Sequence, residues 1–442
     1  MATAEKSQEK TGLGNYFVAN YPPFSCWKPD YLPDARKALH AAPAPGTPLG
    51  LYLHIPFCRK RCKFCYFRVY TDKNARDVET YLDALVKEIE LYSRLPEVGG
   101  RKLLYVYFGG GTPSFLSAAQ LRGLTQRLKQ YLPWEGAEEV TFECEPGTLQ
   151  QHKIEALKEM GVTRLSLGIE NFDDKILGEN GRAHLSAEIY RSYTWARDLK
   201  FDQINIDLIA GMVGEHWDNW RECVRKTIEL SPDSVTIYQM ELPFNTVYSK
   251  EIRIVGQDEP PSFSIADWPT KRAWVDYAID ELAKAGYEVS SAYTMVKDRQ
   301  RCRFVYRDGL WHGADMFGTG VASFGHVHGV HVQNVDSWEQ YVGMLDKGEL
   351  PLHRALPVQP DELLIREMIL QLKTGRLDVA YFQRKFDRNI TEEFAEGFAS
   401  LAEEGYLTAT GQEVELTRTG LLNVDRLLPT FFKPEHRGTR YT

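Results

Sequence analysis

Six short runs rich in aliphatic and β-branched residues, 51–54, 104–108, 140–143, 164–169, 203–208 and 235–239, recur along the chain with room for an amphipathic helix between them. The first interval places Val78, Leu82, Leu85, Ile89 and Tyr92 three or four residues apart, one apolar stripe of a helix. A second helix is expected over 120–132, after the start signal Ser117, and a third over 217–228, where Trp217, Trp220, Val224 and Ile228 keep helical spacing. This β/α alternation excludes all-β and all-α folds. It predicts a parallel sheet covered by helices, either doubly wound or an incomplete barrel, and periodicity does not choose between them. In both, ligands gather at the carboxyl ends of the strands.

The loop after the first run reads His54-Ile55-Pro56-Phe57-Cys58-Arg59-Lys60-Arg61-Cys62-Lys63-Phe64-Cys65. Three thiols spaced by three and two residues can each take one iron of a [4Fe-4S] cluster and leave the fourth iron open to a small molecule. A zinc site wants a fourth Cys or His, which residues 66–70 do not supply. The seven cysteines are odd in number and sparse in 442 residues, a poor disulfide framework.

Cys58, Cys62 and Cys65, with His54 to Phe57 before them, resemble the signature of radical SAM enzymes. The branch they resemble holds oxygen-independent coproporphyrinogen III dehydrogenase, its heme-chaperone relatives, and C-methyltransferases and cyclopropanases that use two SAM molecules. The resemblance implies an α/β fold, a partial (β/α)6 barrel with the cluster at the top of the sheet and a small, mainly helical C-terminal domain. The domains are then expected at 1–50, an extension packed on the barrel; 51–355, the core barrel with a following strand segment; and 356–442, with the change of character near 351–360.

The strand ends carry the other candidates. Gly109-Gly110-Gly111-Thr112 follows the second run; such a string allows close backbone approach to a ligand or makes a plain tight turn. By resemblance Gly110, Gly111 and Thr112 contact SAM. Glu143, Glu170 and Asp207 end three successive runs, as helix caps or as carboxylates for an ammonium and ribose hydroxyls. The resemblance implies that Glu143 holds the cluster-bound SAM, while Glu170, Arg182 and Asp207 surround a second SAM, Arg182 pairing with its carboxylate. Tyr52 and Phe64 match positions that pack the two SAM molecules, Glu241 one that meets the first through backbone, and Phe324 a neighbour of SAM. Structurally the aromatic residues can equally be core.

Two departures separate the chain from the dehydrogenase. Phe67 stands where that enzyme has a further cysteine, and Glu170 where it has glutamine. The heme chaperones' His-Asn-x-x-Tyr type motif corresponds here to Arg303-Phe304-Val305-Tyr306, which disfavours heme carriage. The expected reaction is therefore SAM cleavage to a 5′-deoxyadenosyl radical, followed by C-methylation or cyclopropanation of an sp2 carbon through the second SAM. The alternatives are oxidative decarboxylation of the coproporphyrinogen III type and a heme chaperone. A flat or aromatic substrate is expected, with 15–24 and 311–324 as pocket walls or core. His326, His328 and His331 are read as one extended strand, with the first two on one side and the third on the other, a poor three-His metal site.

A formal charge of −8 argues against nucleic acid as partner. The chain has no apolar run of membrane-spanning length, and residues 1–10 lack the apolar stretch of a secretory signal, so a cytoplasmic location is expected. Arg59, Lys60, Arg61, Lys63 and Arg68 make the cysteine loop basic, either as a solvated face or as a dock for an acidic flavodoxin or ferredoxin. If it docks, reversing the charge of two of these residues slows reduction by an acidic flavodoxin and flattens its salt dependence. Stopped-flow rates across a salt series check this, and an unchanged rate defeats it.

Overall fold

The computed structural model describes residues 17–243, 245–255 and 263–438. Residues 1–10 and two of the suggested pocket residues, Asn15 and Tyr16, lie outside them. All six expected runs are strands: β1 (Leu49–Ile55), β2 (Leu103–Gly110), β3 (Glu139–Cys144), β4 (Arg164–Glu170), β5 (Gln203–Ala210) and β6 (Ser234–Gln239). They pair in parallel and in sequence order. Six further strands extend the sheet: β7 (Glu288–Ser291), β8 (Thr294–Val296), β9 (Asp315–Thr319), β10 (Phe324–Val327), β11 (Val330–Asn334) and β12 (Leu352–Pro357). The order is β12-β11-β10-β9-β1-β2-β3-β4-β5-β6-β8-β7, so β1 and β6 never meet and the barrel stays open.

Period-two alternation decides what each side of this sheet faces. Leu51, Leu53, Val106, Phe108, Phe142, Leu165, Leu167, Ile204, Ile206, Val235 and Ile237 are buried in the main core. The helix Ala75–Ser93, capped by Asn74 and Asp77, buries Val78, Leu82, Leu85, Ile89 and Tyr92, the stripe read from the sequence. The alternate residues face inward and are polar. Ser166 donates to Asp207 at 2.7 Å, Asn205 to Ser166 and Asp207, and Ser234 and Thr236 to Asn205. Buried polar groups must find such partners, and these strands supply them to one another.

The floor of the barrel is shut by the helix Val305–Trp311. Glu139, the first residue of β3, accepts the Val305 and Tyr306 amides and pairs with Arg164, the first residue of β4. Past β12 a second core forms around the helix Pro360–Leu372 and takes in Val18, Tyr21 and Trp311. This C-terminal region carries helices and also a small antiparallel sheet of β13 (Arg376–Asp378), β14 (Leu407–Ala409) and β15 (Glu413–Leu416). Two short helices of this region, Ile390–Glu393 and Ala395–Glu403, meet at Phe394.

The histidine segment departs from its expected geometry. His328 sits in the β10–β11 turn with φ of 49°, beside Gly329 at 73°, so the segment is a hairpin and not one strand. His326 and His331 pair directly across it, with Nδ1 atoms 2.9 Å apart, on one face. Since His331 Nε2 lies 2.9 Å from the Tyr21 carbonyl and donates to it, His331 Nδ1 accepts from His326. Burial drives both rings to the neutral form, His331 to about 3.

One buried carboxyl ties these layers together. Glu88, on the helix Ala75–Ser93, accepts from Gly320 N–H at 2.8 Å, Asn334 Nδ2 at 2.6 Å and Tyr341 O–H at 2.6 Å. Burial pushes it up to about 7, against the pull of those three donors. Tyr341→Phe removes one donor and leaves Glu88 underserved, at a cost of about 1–3 kcal/mol. A lowered thermal midpoint is the expected readout, and an unchanged one shows that the network does not hold the helix.

Candidate active site

Gly110, Glu143 and Glu170 lie at or next to the carboxyl ends of β2, β3 and β4, whereas Tyr52 and Asp207 sit three residues inside the ends of β1 and β5. Cys58 N–H donates to the Tyr70 carbonyl at 3.0 Å and Tyr70 N–H to Pro56 at 2.8 Å, which closes the cysteine loop onto itself. Lys63 N–H bonds the Asn180 carbonyl at 3.0 Å, and the Lys63 carbonyl accepts from Val247, so the loop is clamped between the segments after β4 and β6. Thr112 donates to Cys58 Sγ at 3.2 Å, and Arg182 Nη1 to Cys62 Sγ at 3.4 Å. Burial pushes the thiols of Cys58 and Cys65 up to about 12 and about 11, and the neighbouring cysteines push in the same direction. Such thiols ionise when a metal takes them. Among the described residues no three His, Cys, Asp or Glu side chains converge as a single metal ion requires. A four-iron cluster, with one thiolate on each of three irons, does not need that convergence, so the donor set fits the cluster better than zinc.

The glycines show why the second strand ends as it does. A Cβ at Gly111 would lie 2.8–3.0 Å from backbone atoms of Ile55, Pro56 and Phe57, and Gly110 has φ of 111°. Only glycine lets β2 press this closely on the cysteine loop. Gly110 N–H donates to Glu143 at 3.2 Å and Gly111 N–H to the Ile55 carbonyl at 2.9 Å. Thus both amides are engaged within the protein, and a ligand here would meet carbonyls and Cα atoms.

Three carboxyls share the space above the inward face. Glu143 accepts from Tyr107 O–H at 2.7 Å; Asp207 is held by Ser166 and Asn205; Glu170, at φ of 66°, turns toward Arg182 with 3.6 Å between charged atoms. Arg182 also donates to the Gly168 carbonyl at 2.6 Å. Burial pushes Glu143 and Glu170 up to about 7 and Asp207 to about 6; Arg182 offsets it at Glu170, and like charge from Asp207 adds to it at both glutamates. Burial works against the Arg182 charge, yet Cys62, Glu170 and Glu145 push it up further. Arg182 Nε, His54 Nε2 and Gln239 Oε1 are buried and have no partner among the described residues. Three carboxyls against one arginine, with orphaned polar atoms around them, fit a ligand that is itself cationic and polar, as SAM is.

The remaining expected residues divide between this space and the packing around it. Tyr52 stacks on Tyr107 with ring centres 5.8 Å apart and reaches His54. Phe64 packs beside the apolar cluster of Ile176, Met212 and Tyr248. Glu241 accepts the Phe17 amide, and Phe324 meets Phe24 at a tilt and Trp27 edge-on, so both meet the N-terminal segment. Several site residues were not foreseen. Glu145 takes His184 Nδ1 at 2.8 Å and Arg59 at 3.4 Å, bracing the loop that carries Arg182. Tyr66 and Tyr238 expose 39% and 43% of their surface; burial pushes their hydroxyls up, with Glu241 adding to it at Tyr66 and Asp207, Glu143 and Glu170 at Tyr238, so both stand near the acids. The alternation of Tyr105, Tyr107 and Gly109 along β2 is the signal that could have found Tyr107; Tyr66 and Tyr238 carried none.

Residues 52–227 match the radical SAM superfamily. The match covers the part of the chain that holds the cysteine loop and β1 to β5. An oxygen-independent coproporphyrinogen III oxidase of Synechocystis is 26% identical over 95% of this chain and 92% of its own length. The heme chaperone HemW of Bacillus subtilis is 28% identical over 84% of this chain and 96% of its own. The solved coproporphyrinogen III oxidase HemN of Escherichia coli superposes with a TM-score of 0.80 at 24% identity, covering 94% and 96% of the two chains. The fold is therefore HemN-like along nearly the whole length of the chain. The likeness to that superfamily implies a [4Fe-4S] cluster and SAM, for which Cys58, Cys62, Cys65 and the strand-end acids are the fitting residues. Nothing in these comparisons supports the methyl-transfer expectation; the relatives lie on the oxidase and chaperone side.

The carboxyl values fix a pH dependence. Groups whose folded values lie above their unfolded ones hold protons that the unfolded chain has released, so these three acids withdraw stability as pH rises from about 4.5 to about 7, while the buried neutral histidines act in the opposite direction. A cationic ligand prefers the ionised acids, so its affinity rises through the same window. Thermal midpoints with and without SAM check both signs: the stabilisation by SAM is expected to be larger at pH 7.5 than at pH 5.5 and to flatten in Glu143→Gln.

Proposed function

We propose that this chain is a radical SAM enzyme that carries out an oxidative reaction of the coproporphyrinogen III oxidase kind on a tetrapyrrole or a molecule of similar size. One observation carries the reading: Arg182 joins the cysteine loop to Glu170, and Tyr66 and Tyr238 stand beside the loop and the acids, in a chain aligned with such an oxidase over nearly the full length of both. When bound, the cluster and SAM would supply a 5′-deoxyadenosyl radical able to take a hydrogen atom from a substrate carbon. Cys58, Cys62 and Cys65 would hold the irons. Gly110, Gly111, Thr112 and the backbone at Glu241 would form the seat of SAM, and Glu143 would take its ammonium. Glu170, Arg182 and Asp207 would hold the second polar ligand, a second SAM or substrate carboxylates. Tyr52, Tyr66 and Tyr238 would enclose the substrate and keep water from a radical. Phe64 and Phe324 would serve as packing behind these walls. The reductant in this reading is an acidic flavodoxin or ferredoxin docked at the basic loop, and the setting is the cytoplasm.

Methyl or methylene transfer from a second SAM stands as a second reading because of one departure. Phe67, 47% exposed, occupies the place of the dehydrogenase's extra cysteine, so a thiol that decarboxylation chemistry has there is absent. One anaerobic assay separates the readings. Reconstituted protein is given dithionite, methyl-labelled SAM and coproporphyrinogen III, and products are read by mass. Deoxyadenosine together with loss of carbon dioxide from the tetrapyrrole, and no label in it, is the expected outcome. Label in the product establishes transfer instead, and heme binding without SAM cleavage establishes the chaperone reading.

A further inference from the structure

Outside the site, one cysteine stands in a chemically ordered setting. Of the seven cysteines, Cys144, Cys223 and Cys302 are buried and Cys58, Cys62 and Cys65 form the loop, which leaves Cys26 as the half-buried thiol not assigned to iron. Cys26 ends the turn Phe24–Cys26 on the N-terminal segment. His436, 410 residues away in the turn Pro434–His436, brings Nδ1 to 3.6 Å from its sulfur. The other ring nitrogen of His436, Nε2, lies 2.9 Å from Glu362 Oε1 at the start of the helix Pro360–Leu372. Glu362 Oε2 is fixed in turn by the Gln359 amide at 2.9 Å.

This order sets the tautomer. An ionised carboxylate only accepts, so His436 Nε2 carries hydrogen, and the lone pair of Nδ1 is left for the thiol proton. A nucleophile, a base and a carboxylate that orients the base form the arrangement that activates serine and cysteine nucleophiles on unrelated folds. The side chains of His436 and Glu362 are 11% and 10% exposed, so the base is held by its surroundings and not by chance contact at the surface. The Tyr21 ring meets the His436 ring edge-on at 5.4 Å, and the Tyr21 hydroxyl accepts the Lys433 amide at 3.0 Å. Burial pushes the Cys26 thiol up, with Glu362 adding to the shift and Ser25 and Lys28 opposing it. The group therefore rests protonated, and its reactivity depends on a base in place at the moment of attack.

We propose that Cys26 is a thiol modification site, activated by His436 and oriented by Glu362, that exchanges with small disulfides such as glutathione disulfide. Cys26 Sγ attacks one disulfide sulfur while its proton passes to His436 Nδ1. The new S–S bond forms as the old one breaks, and the departing thiolate takes the proton from His436. Cys26 ends as a mixed disulfide, and one half of the reagent ends as a reduced thiol. The adduct sits where the N-terminal segment meets the C-terminal core, on the segment whose Phe17 amide is held by Glu241.

The test uses reconstituted holoenzyme under anaerobic conditions, so that the loop cysteines are on iron, with glutathione disulfide and mapping of the adducts by mass. One adduct, at Cys26 and absent from Cys26→Ser, is expected to form faster than on a peptide of residues 22–30. His436→Gln, which retains hydrogen bonding but not the base, is expected to slow it about tenfold or more. Glu362→Gln slows it by a smaller factor and, if its melting curve matches the parent, separates orientation from folding. No adduct at Cys26, a rate equal to the peptide's, or rates unchanged or raised in both variants overturns the proposal.

Discussion

Three thiols and three carboxyls gather at one end of the barrel with a single buried guanidinium among them, and the site depends on that charge. Arg182 donates to Cys62, faces Glu170 and bonds the carbonyl of Gly168 on β4. It therefore links the cysteine loop to the strand end and moderates repulsion among groups that burial already disfavours as anions. The bracing runs outward from there: His184 and Glu145 steady the segment that carries Arg182, and Arg59 returns from the cysteine loop to the same glutamate. In the proposed reading the remaining negative charge would be answered by ligands that bring cations, iron on one side and a sulfonium or ammonium on the other.

The architecture was largely legible in the residues because apolar runs report sheet position directly. All six core strands begin and end within two residues of the expected runs, since each buries one face against helices and ends in a glycine, an acid or a polar turn. The choice of an open barrel over a doubly wound sheet came from resemblance alone, and the absence of a β1 to β6 pairing is what the structure adds.

What stayed hidden was long-range or turn-dependent. Nothing near Cys26 signals a histidine 410 residues away. Glu145 reads as a second acid beside Glu143, and only the fold turns it toward His184. The histidine segment was misread because a non-glycine residue at positive φ, His328, forms the first half of a two-residue turn with Gly329. That turn folds His331 back onto His326 and converts an apparent alternation into a cross-strand pair. Glu241 and Phe324 lie where resemblance put them in the chain, but their side chains meet the N-terminal segment, whose packing no local pattern announces.

The helix Val305–Trp311, with Glu139 capping its first turn, closes the barrel at the amino ends of the strands. With that end covered, a molecule entering from the opposite end passes the rim of cysteine loop, glycine turn and tyrosines; in the proposed reaction a substrate seated above a spent cosubstrate would leave first.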